Sequence, residues 1–236
     1  MCNLEVHLSL AIEAKDASRV SQLLDDGAPM NFELFAQATQ NKCMEILQLF
    51  LDHGWDINTE SSLDSLIPSA LIYTFDDIEL VKWFLLHGAD PNKRCQMRDA
   101  TPLSYAMYDA SMDIIDRLFM HGGSTQQGQL LHYASMRKDE NGIQVLRYLQ
   151  ERDPQMIRSR VNLLLDEGYP EFAQNCRFGA CTPIQYAACA GALESVKFLV
   201  DQGANPWRMD MYKRTALSYA IHGGHEDVQQ YLRTLA

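Results

Sequence analysis

The chain has 236 residues, of which 47% are hydrophobic, and a formal net charge of -11. This length and apolar content suit a sizeable buried core, in one large domain or in one continuous array. The acidic balance disfavours a phosphate backbone, so no nucleic-acid partner is expected. No apolar stretch approaches the roughly 18 residues of a spanning helix, so no membrane partner is expected either.

The cysteines and the first residues indicate a protein that stays inside the cell. The six cysteines are irregularly spaced in a chain large enough to fold without disulfides. The N-terminal sequence MCNLEVHLSLAIEAK has no basic leader and reaches Glu5 and Glu13 too early for a secretory signal. We therefore expect reduced thiols and a location in the cytoplasm or the nucleus.

In chain order, the sequence predicts seven units of two helices each. The first helices begin with LSLAIEAK, LFAQATQN, IPSALIYTFD, TPLSYAMYDA, LHYA, TPIQYAACAG and TALSYAIHGG. A second segment ending in glycine follows, as in FLLHGADPN and FLVDQGANP, and the helix-ending glycines are Gly27, Gly54, Gly88, Gly122, Gly168 and Gly203. The predicted units are about 4–31, 32–58, 62–92, 96–126, 127–170, 177–207 and 210–236, in one array over 1–236.

This pattern resembles the ankyrin repeat, whose period is about 33 residues. The resemblance covers essentially the whole chain and is carried by TPL and TPI at Thr101 and Thr182, by HGADPN from His87 and by GGHEDV from Gly223. It implies an all-α solenoid of stacked helix-turn-helix units with hairpin fingers between them. Threonine would cap each first helix with proline in its first turn, and small residues such as Ala187 would let first helices pack closely.

Two departures from the pattern stand out. Only 27 residues separate Gly27 from Gly54, which leaves no room for a finger between the first two units. The fifth unit is longer than the others, and we expect a helical insertion at about 143–166, with helices over Ile143–Arg152 and Gln155–Asp166 broken at Asp153 and Pro154. The insertion is either a tolerated addition on the convex side or a docking element or lid.

The resemblance implies a function in protein recognition, through a concave groove and the finger loops. The groove would be lined by the inner ends of the first helices, and Trp, Tyr, Met and Arg are common interface anchors. The predicted partner-binding residues are Thr74, Phe75, Met97, Arg98, Tyr108, Asp109, Met136, Arg137, Phe178, Cys189, Trp207, Met209, Met211, Tyr212 and His222. We expect a monomer whose protein partner offers a neutral or basic surface.

A second hypothesis is a small-molecule binder or enzyme with its pocket at units five to seven. Tyr186, Cys189, Tyr219 and His222 would surround the ligand, and Cys189 beside His222 would begin a nucleophilic pair. No oxyanion motif accompanies them, so a small residue and a ring in a binding groove is the simpler interpretation. The small residues Ala190 and Gly223 would leave space for such a pocket.

Other residue types are assigned structural roles. Tyr105, Tyr133, Tyr186 and Tyr219 recur at one repeat position and predict an aromatic ladder between first helices. The histidines before helix-ending glycines are predicted surface caps, and His132 and His225 are predicted to be structural. Cys176, Cys181 and Cys189 do not form paired CxxC motifs, so neither a metal nor a cofactor is predicted.

Overall fold

The computed structural model describes residues 4–61, 66–139, 141–167 and 181–235, and within these ranges every regular element is helical. The elements are α1 (Leu4–Glu13), α2 (Ala17–Asp25), α3 (Phe32–Gln40), α4 (Met44–Asp52), a 3-10 helix (Ala70–Thr74), α5 (Ile78–Leu86), α6 (Pro102–Asp109), α7 (Met112–Met120), α8 (Leu130–Ser135), α9 (Gly142–Arg152), α10 (Pro154–Arg160), α11 (Pro183–Ala190), α12 (Leu193–Asp201), α13 (Ala216–Gly223) and α14 (Glu226–Thr234). The all-α class predicted from the sequence is confirmed.

The helices form two layers. In the inner layer each first helix packs on the next, in the order α1, α3, the 3-10 helix, α6, α8, α11 and α13. The outer layer contains α2, α4, α5, α7, α9, α12 and α14, each of which follows an inner helix along the chain. One continuous apolar cluster runs between the layers from Leu8 to Leu232, as a solenoid requires.

The inner helices begin as their sequences predict. Thr101 caps α6 by accepting a hydrogen bond from the Ser104 amide, and Pro102 occupies the first turn, where its missing donor has no partner to lose. Thr215 forms the same capping box on α13. At the start of α11 the Thr182 amide donates to Oε1 of Gln185, but the Thr182 hydroxyl has no hydrogen-bond partner among the described residues. Ala187 and Ala188 on α11 are completely buried, which allows the neighbouring inner helices to approach closely.

Five of the seven outer helices end as predicted, in left-handed glycines, whereas the residue that follows α9 is Asp153 and the residue that follows α14 is Leu235. Gly122, for example, has a φ of 92° after α7, and Gly27, Gly54, Gly88 and Gly203 have similar angles. Gly168, which we assigned to the fifth unit, lies outside the described residues. Asn31 caps α3 directly through the Leu34 amide, so α2 passes into the second unit without a finger.

The third unit differs from the expectation because its inner element is a short 3-10 helix. Ile72, Tyr73 and Thr74 are β-branched or aromatic residues that have low helix propensity. The Thr74 hydroxyl donates a hydrogen bond to the Leu71 carbonyl, so this carbonyl has a partner within the tighter 3-10 turn. The inner layer is therefore shorter here than at α3 and α6.

The fifth unit has its extra length elsewhere than predicted. Helix α9 is not inserted, because it packs between α8 and α12 as the outer helix of its unit. Helix α10 is the added element, and it ends at Arg160 rather than at Asp166. Asp153 starts it by accepting a hydrogen bond from the Met156 amide, with Pro154 in the first turn.

Three asparagines join successive units at the base of the fingers. The Asn58 side chain donates to the Gly88 carbonyl and accepts from the Asp90 amide, and Asn92 bonds the following unit in the same way. Asn162 repeats the pattern by donating to Gly203 and accepting from the Asn205 amide, at 2.8 and 2.6 Å. Asn162 therefore occupies the same repeat position as Asn58 and Asn92. The extra residues of the fifth unit that α10 does not account for come after Asn162 in the sequence.

Candidate functional site

The finger over 207–214 is organised around the buried carboxylate of Asp210. The side chain of Asp210 is fully buried and accepts hydrogen bonds from the backbone amides of Tyr212 and Arg214, both at 2.8 Å. Its Oδ2 atom accepts from the Arg214 guanidinium and from the Tyr219 hydroxyl. Burial by itself would raise the pKa of Asp210, but these hydrogen bonds outweigh it and lower the pKa, which keeps the carboxylate charged.

Four apolar side chains project from this finger into solvent. They are Trp207, Met209, Met211 and Tyr212, with exposed fractions of 39%, 57%, 64% and 54%. Arg214 stacks over the Tyr212 ring at 4.6 Å, and the Arg208 guanidinium bonds Glu167 of the preceding finger. The finger thus presents apolar and aromatic groups on a fixed backbone.

A second concave feature lies on the inner face beside the short 3-10 helix. The cavity has a volume of about 270 Å3 and is lined by Ile72, Tyr73, Phe75, Asp76 and Asp109. Phe75 is half-buried, and Tyr108, which precedes Asp109, is 42% exposed. The predicted groove residues Phe75, Tyr108 and Asp109 thus lie together on accessible surface.

Two predicted contact residues are buried, which corrects the expectation that they face a partner. Thr74 has no exposed surface, because its hydroxyl is used within the 3-10 helix. Arg137 is 2% exposed: its guanidinium donates to the carbonyls of Met107 and Ala110 and pairs with Asp139. Arg137 therefore links the end of α8 to α6. The hydrogen bond that Arg137 donates to Asp139 is the largest cause of the lowered pKa of Asp139.

The other predicted contacts are divided between surface and interior. Met97 and Met136 are half-buried, and Cys189 and His222 are exposed. Arg98 is directed inward, with its Nε atom 3.8 Å from the Asp166 carboxylate. Phe178 lies outside the described residues.

The structure places the proposed nucleophilic pair on two neighbouring inner helices. Cys189 and His222 lie on the packed helices α11 and α13, but no hydrogen bond joins them in the part of the chain that the structure describes. His225 contacts this region instead, because its Nε2 atom donates to the Cys189 carbonyl. Its ring also fills the space beside Gly223, where an added Cβ would lie 2.6 Å from it. The pocket expected beside Gly223 is therefore occupied by the protein itself.

The tyrosine ladder is formed in part. The rings of Tyr105 and Tyr133 lie 5.8 Å apart, and the Tyr105 hydroxyl donates to the Leu66 carbonyl. Tyr219 is used differently, since its hydroxyl donates to Asp210 and accepts from the Cys181 thiol at 3.0 Å. Burial is the main cause of the raised pKa of Cys181. Tyr219 thus supports the finger.

The structural histidines behave as predicted. His53, His87 and His121 each end an outer helix and donate from Nδ1 to the carbonyl four residues earlier. His132 is fully buried, and its Nε2 atom donates to the Leu163 carbonyl in the turn after α10.

A buried polar network between the fingers was not found from the sequence. The Asp99 and Asp166 side chains are buried, and Asp166 accepts hydrogen bonds from the Asp99 amide and from Gln129. Arg94 pairs with Asp99 at 2.8 Å. Burial, the largest cause, raises the pKa of Asp166 despite the nearby Arg98. No local sequence signal reveals this network, because Asp99 and Asp166 are 67 residues apart.

The described ranges contain no group of three or more His, Cys, Asp or Glu residues placed to hold a metal ion. Among the described helices, none has the length and apolar character needed to span a bilayer.

Comparisons with known proteins agree with the two-layer architecture. A family model described as ankyrin repeats matches residues 66–160 and 155–235. An IkB-like protein of African swine fever virus (isolate Tick/Malawi/Lil 20-1/1983) is 30% identical over an alignment of 164 residues, and the match covers 65% of this chain and 64% of that protein. The mitochondrial disaggregase of Bos taurus is 27% identical over 159 residues, covering 67% of this chain and 21% of the relative. The chain spans less than two thirds of either relative. The matched repeats and the stacked helix pairs together show that this chain belongs to the ankyrin-repeat family.

Proposed function

We propose that this chain is a recognition module that binds a protein partner through its inner face and the 207–214 finger. The observation that carries the proposal is the exposure of Trp207, Met209, Met211 and Tyr212 on a finger whose backbone is fixed by Asp210. Exposed apolar groups of this kind, clustered and rigidly presented, are typical of protein interfaces. A fixed backbone also lowers the entropy lost on binding.

The charge of the chain favours a particular kind of partner. With a formal net charge of -11, the module would attract a neutral or basic protein surface and repel an acidic one. We propose that the chain acts as a monomer in the cytoplasm or the nucleus, where thiols such as the exposed Cys189 remain reduced.

The proposal is tested by capturing partners from source-cell lysate with three forms of the chain. These are the wild type, the finger variant Trp207→Ala with Met211→Ala, and the control variant Leu86→Ala with Met120→Ala. Leu86 and Met120 are also large exposed apolar residues, at 77% and 67%, but they lie on the outer helices α5 and α7 and not on the finger. The control therefore removes comparable apolar surface away from the finger.

We expect a protein that is retained by the wild type and the control variant and is lost from the finger variant. Retention of the same proteins by all three forms would show that the finger has no role in recognition. A small metabolite retained without any stoichiometric protein would contradict the proposal altogether.

A further inference from the structure

The inner face has two neighbouring cavities on either side of Tyr73. The first, of about 270 Å3, is lined by Ile72, Tyr73, Phe75, Asp76 and Asp109. The second, of about 240 Å3, includes Phe32, Glu33, Gln37 and Tyr73 in its lining. Both lie where the short 3-10 helix stands between the longer helices α3 and α6.

The carboxylates in these cavities differ in how far the protein neutralises them. Asp76 is already paired with Lys42, at 2.8 Å. Within residues 4–61, 66–139, 141–167 and 181–235, the Asp109 carboxylate forms neither an ion pair nor a hydrogen bond. Asp109 lies on exposed surface, but the protein atoms around its carboxylate displace part of its solvation, and this desolvation is the largest cause of its raised pKa, despite the nearby charge of Arg137. A cation placed beside Asp109 would compensate that lost solvation.

Glu33 shows a similar lack of compensation in the second cavity. Its Oε1 atom is sealed from solvent and has no hydrogen-bond partner among the described residues. A buried oxygen of a carboxylate without a donor is energetically unfavourable, and a nearby cation reduces the cost. The first turn of α3, where Glu33 stands, supplies part of this compensation through the helix dipole.

We propose that these two cavities receive lysine or arginine side chains from an exposed segment of the partner protein. The inference rests on the proposed function and names the chemistry that the inner face recognises. Phe75 and Tyr73 line the first cavity beside Ile72, so an incoming guanidinium would meet aromatic side chains and its aliphatic stem would meet apolar surface. Asp109 and Glu33 supply the opposing negative charge.

Charge complementarity distinguishes this occupant from others. An acidic or purely apolar segment would leave Asp109 and Glu33 without a cation and would be repelled by the acidic chain. A second copy of this chain carries the same net negative charge, which disfavours it as the occupant.

The probe is a fluorescein-labelled peptide of nine residues in which arginine and serine alternate. A peptide with citrulline in place of each arginine keeps the shape and removes the charge. Binding of both peptides to the full chain is followed by fluorescence anisotropy at low and at physiological salt. Backbone amide shifts of 72–76 are followed by NMR in parallel, because they report whether the peptide occupies this place.

The test variant is Asp109→Asn with Glu33→Gln, and the matched control is Glu45→Gln with Glu151→Gln. The control removes the same number of charges from exposed positions on the outer helices α4 and α9. We expect the test variant to bind the arginine peptide about three- to tenfold more weakly, as the loss of two partly exposed charge contacts implies. The control should bind within about twofold of the wild type, since screened charges at a distance contribute little.

Three results would overturn the inference: equal binding of the arginine and citrulline peptides, equal weakening in both variants, or amide shifts that avoid 72–76. Displacement of the peptide by low concentrations of spermidine would instead identify a site for small polycations and would also overturn it. None of these outcomes affects the finger, so a partner lost only from the finger variant would leave the proposed function standing.

Discussion

The Tyr219 hydroxyl lies 2.6 Å from Oδ2 of Asp210 and donates a hydrogen bond to it. Through this contact, helix α13 supports the finger that precedes it. Arg214 stacks on the same tyrosine ring at 4.7 Å, so the finger is fixed to the inner layer at two points. The exposed apolar groups of the finger owe their fixed presentation to this pair.

Replacing Tyr219 with phenylalanine should loosen the finger. The substitution removes the donor to Asp210 but keeps the ring, and we expect a loss of about 1 kcal/mol in the free energy of unfolding. The amides of Tyr212 and Arg214, which donate to Asp210, should exchange faster with deuterium. Tyr212→Phe is the control, because Tyr212 is exposed and on the same finger. Equal exchange in the two variants would show that Tyr219 does not hold the finger.

The Asn162 contacts predict a loss of stability where the fifth and sixth units meet. Asn162→Ala removes the donor to Gly203 and the acceptor for the Asn205 amide, which should cost about 1 to 2 kcal/mol in a urea titration. Asn162→Asp keeps the acceptor alone and should lie between the alanine variant and the wild type. If both variants unfold at the wild-type urea concentration, these hydrogen bonds contribute nothing to the stability of the array.

Overpacking the inner layer should destabilise the array. Ala187 is fully buried between inner helices, so Ala187→Leu should lower the free energy of unfolding by about 1 to 3 kcal/mol. Ala190 stands on the same helix but is only half-buried, and Ala190→Leu is the matched control. A lower melting temperature for the Ala187 variant alone is the expected result. An unchanged melting temperature in both would mean that α11 is packed less tightly than the structure indicates.

His132 predicts a loss of stability in mild acid. Burial lowers its pKa from 6.5 to about 4, so the unfolded chain binds a proton between these values while the folded chain does not. Stability is therefore fully retained above about pH 6.5 and falls as the pH approaches 4, by an amount on the order of 3 kcal/mol.

The measurement is urea unfolding at several pH values, with His132→Gln as the comparison. We expect the variant to be less stable at neutral pH, because it loses the buried imidazole, but to have a shallower slope of stability against pH between about pH 6.5 and 5. This range lies above the pH at which most carboxylates titrate. The contribution of His53 to stability depends on pH in the opposite direction. Its hydrogen bond to the Leu49 carbonyl is the largest cause of its raised pKa, so His53 adds stability that is lost as the pH rises. Equal slopes for the wild type and the variant would rule out His132 as the acid-sensitive group.

Sequence patterns predict those structural elements that neighbouring residues in the chain determine. Threonine and proline at Thr101 and Pro102 fix the start of α6, and a left-handed glycine such as Gly122 ends an outer helix, so both were identified without tertiary information. The exposure of Trp207 and Tyr212 was likewise anticipated from a short, turn-rich finger.

The remaining features depend on contacts between residues that are distant in sequence. Arg137 occupies a groove position in the repeat pattern, yet the carbonyls of Met107 and Ala110 draw it into the interior. The role of Asn162 does not follow from the repeat spacing, because α10 separates Asn162 from the outer helix of its unit. Repeat periodicity identifies equivalent positions, but it does not determine which polar partner each side chain finds.

The most direct test of recognition by the finger is the dissociation constant of the captured partner, measured by calorimetry for three forms of the chain. We predict that Trp207→Ala with Met211→Ala weakens binding by about thirtyfold, as the loss of a central aromatic anchor implies. Leu86→Ala with Met120→Ala should leave the constant within about twofold of the wild type, because the replaced side chains lie on the outer helices. Equal constants for the finger variant and the wild type would contradict the account.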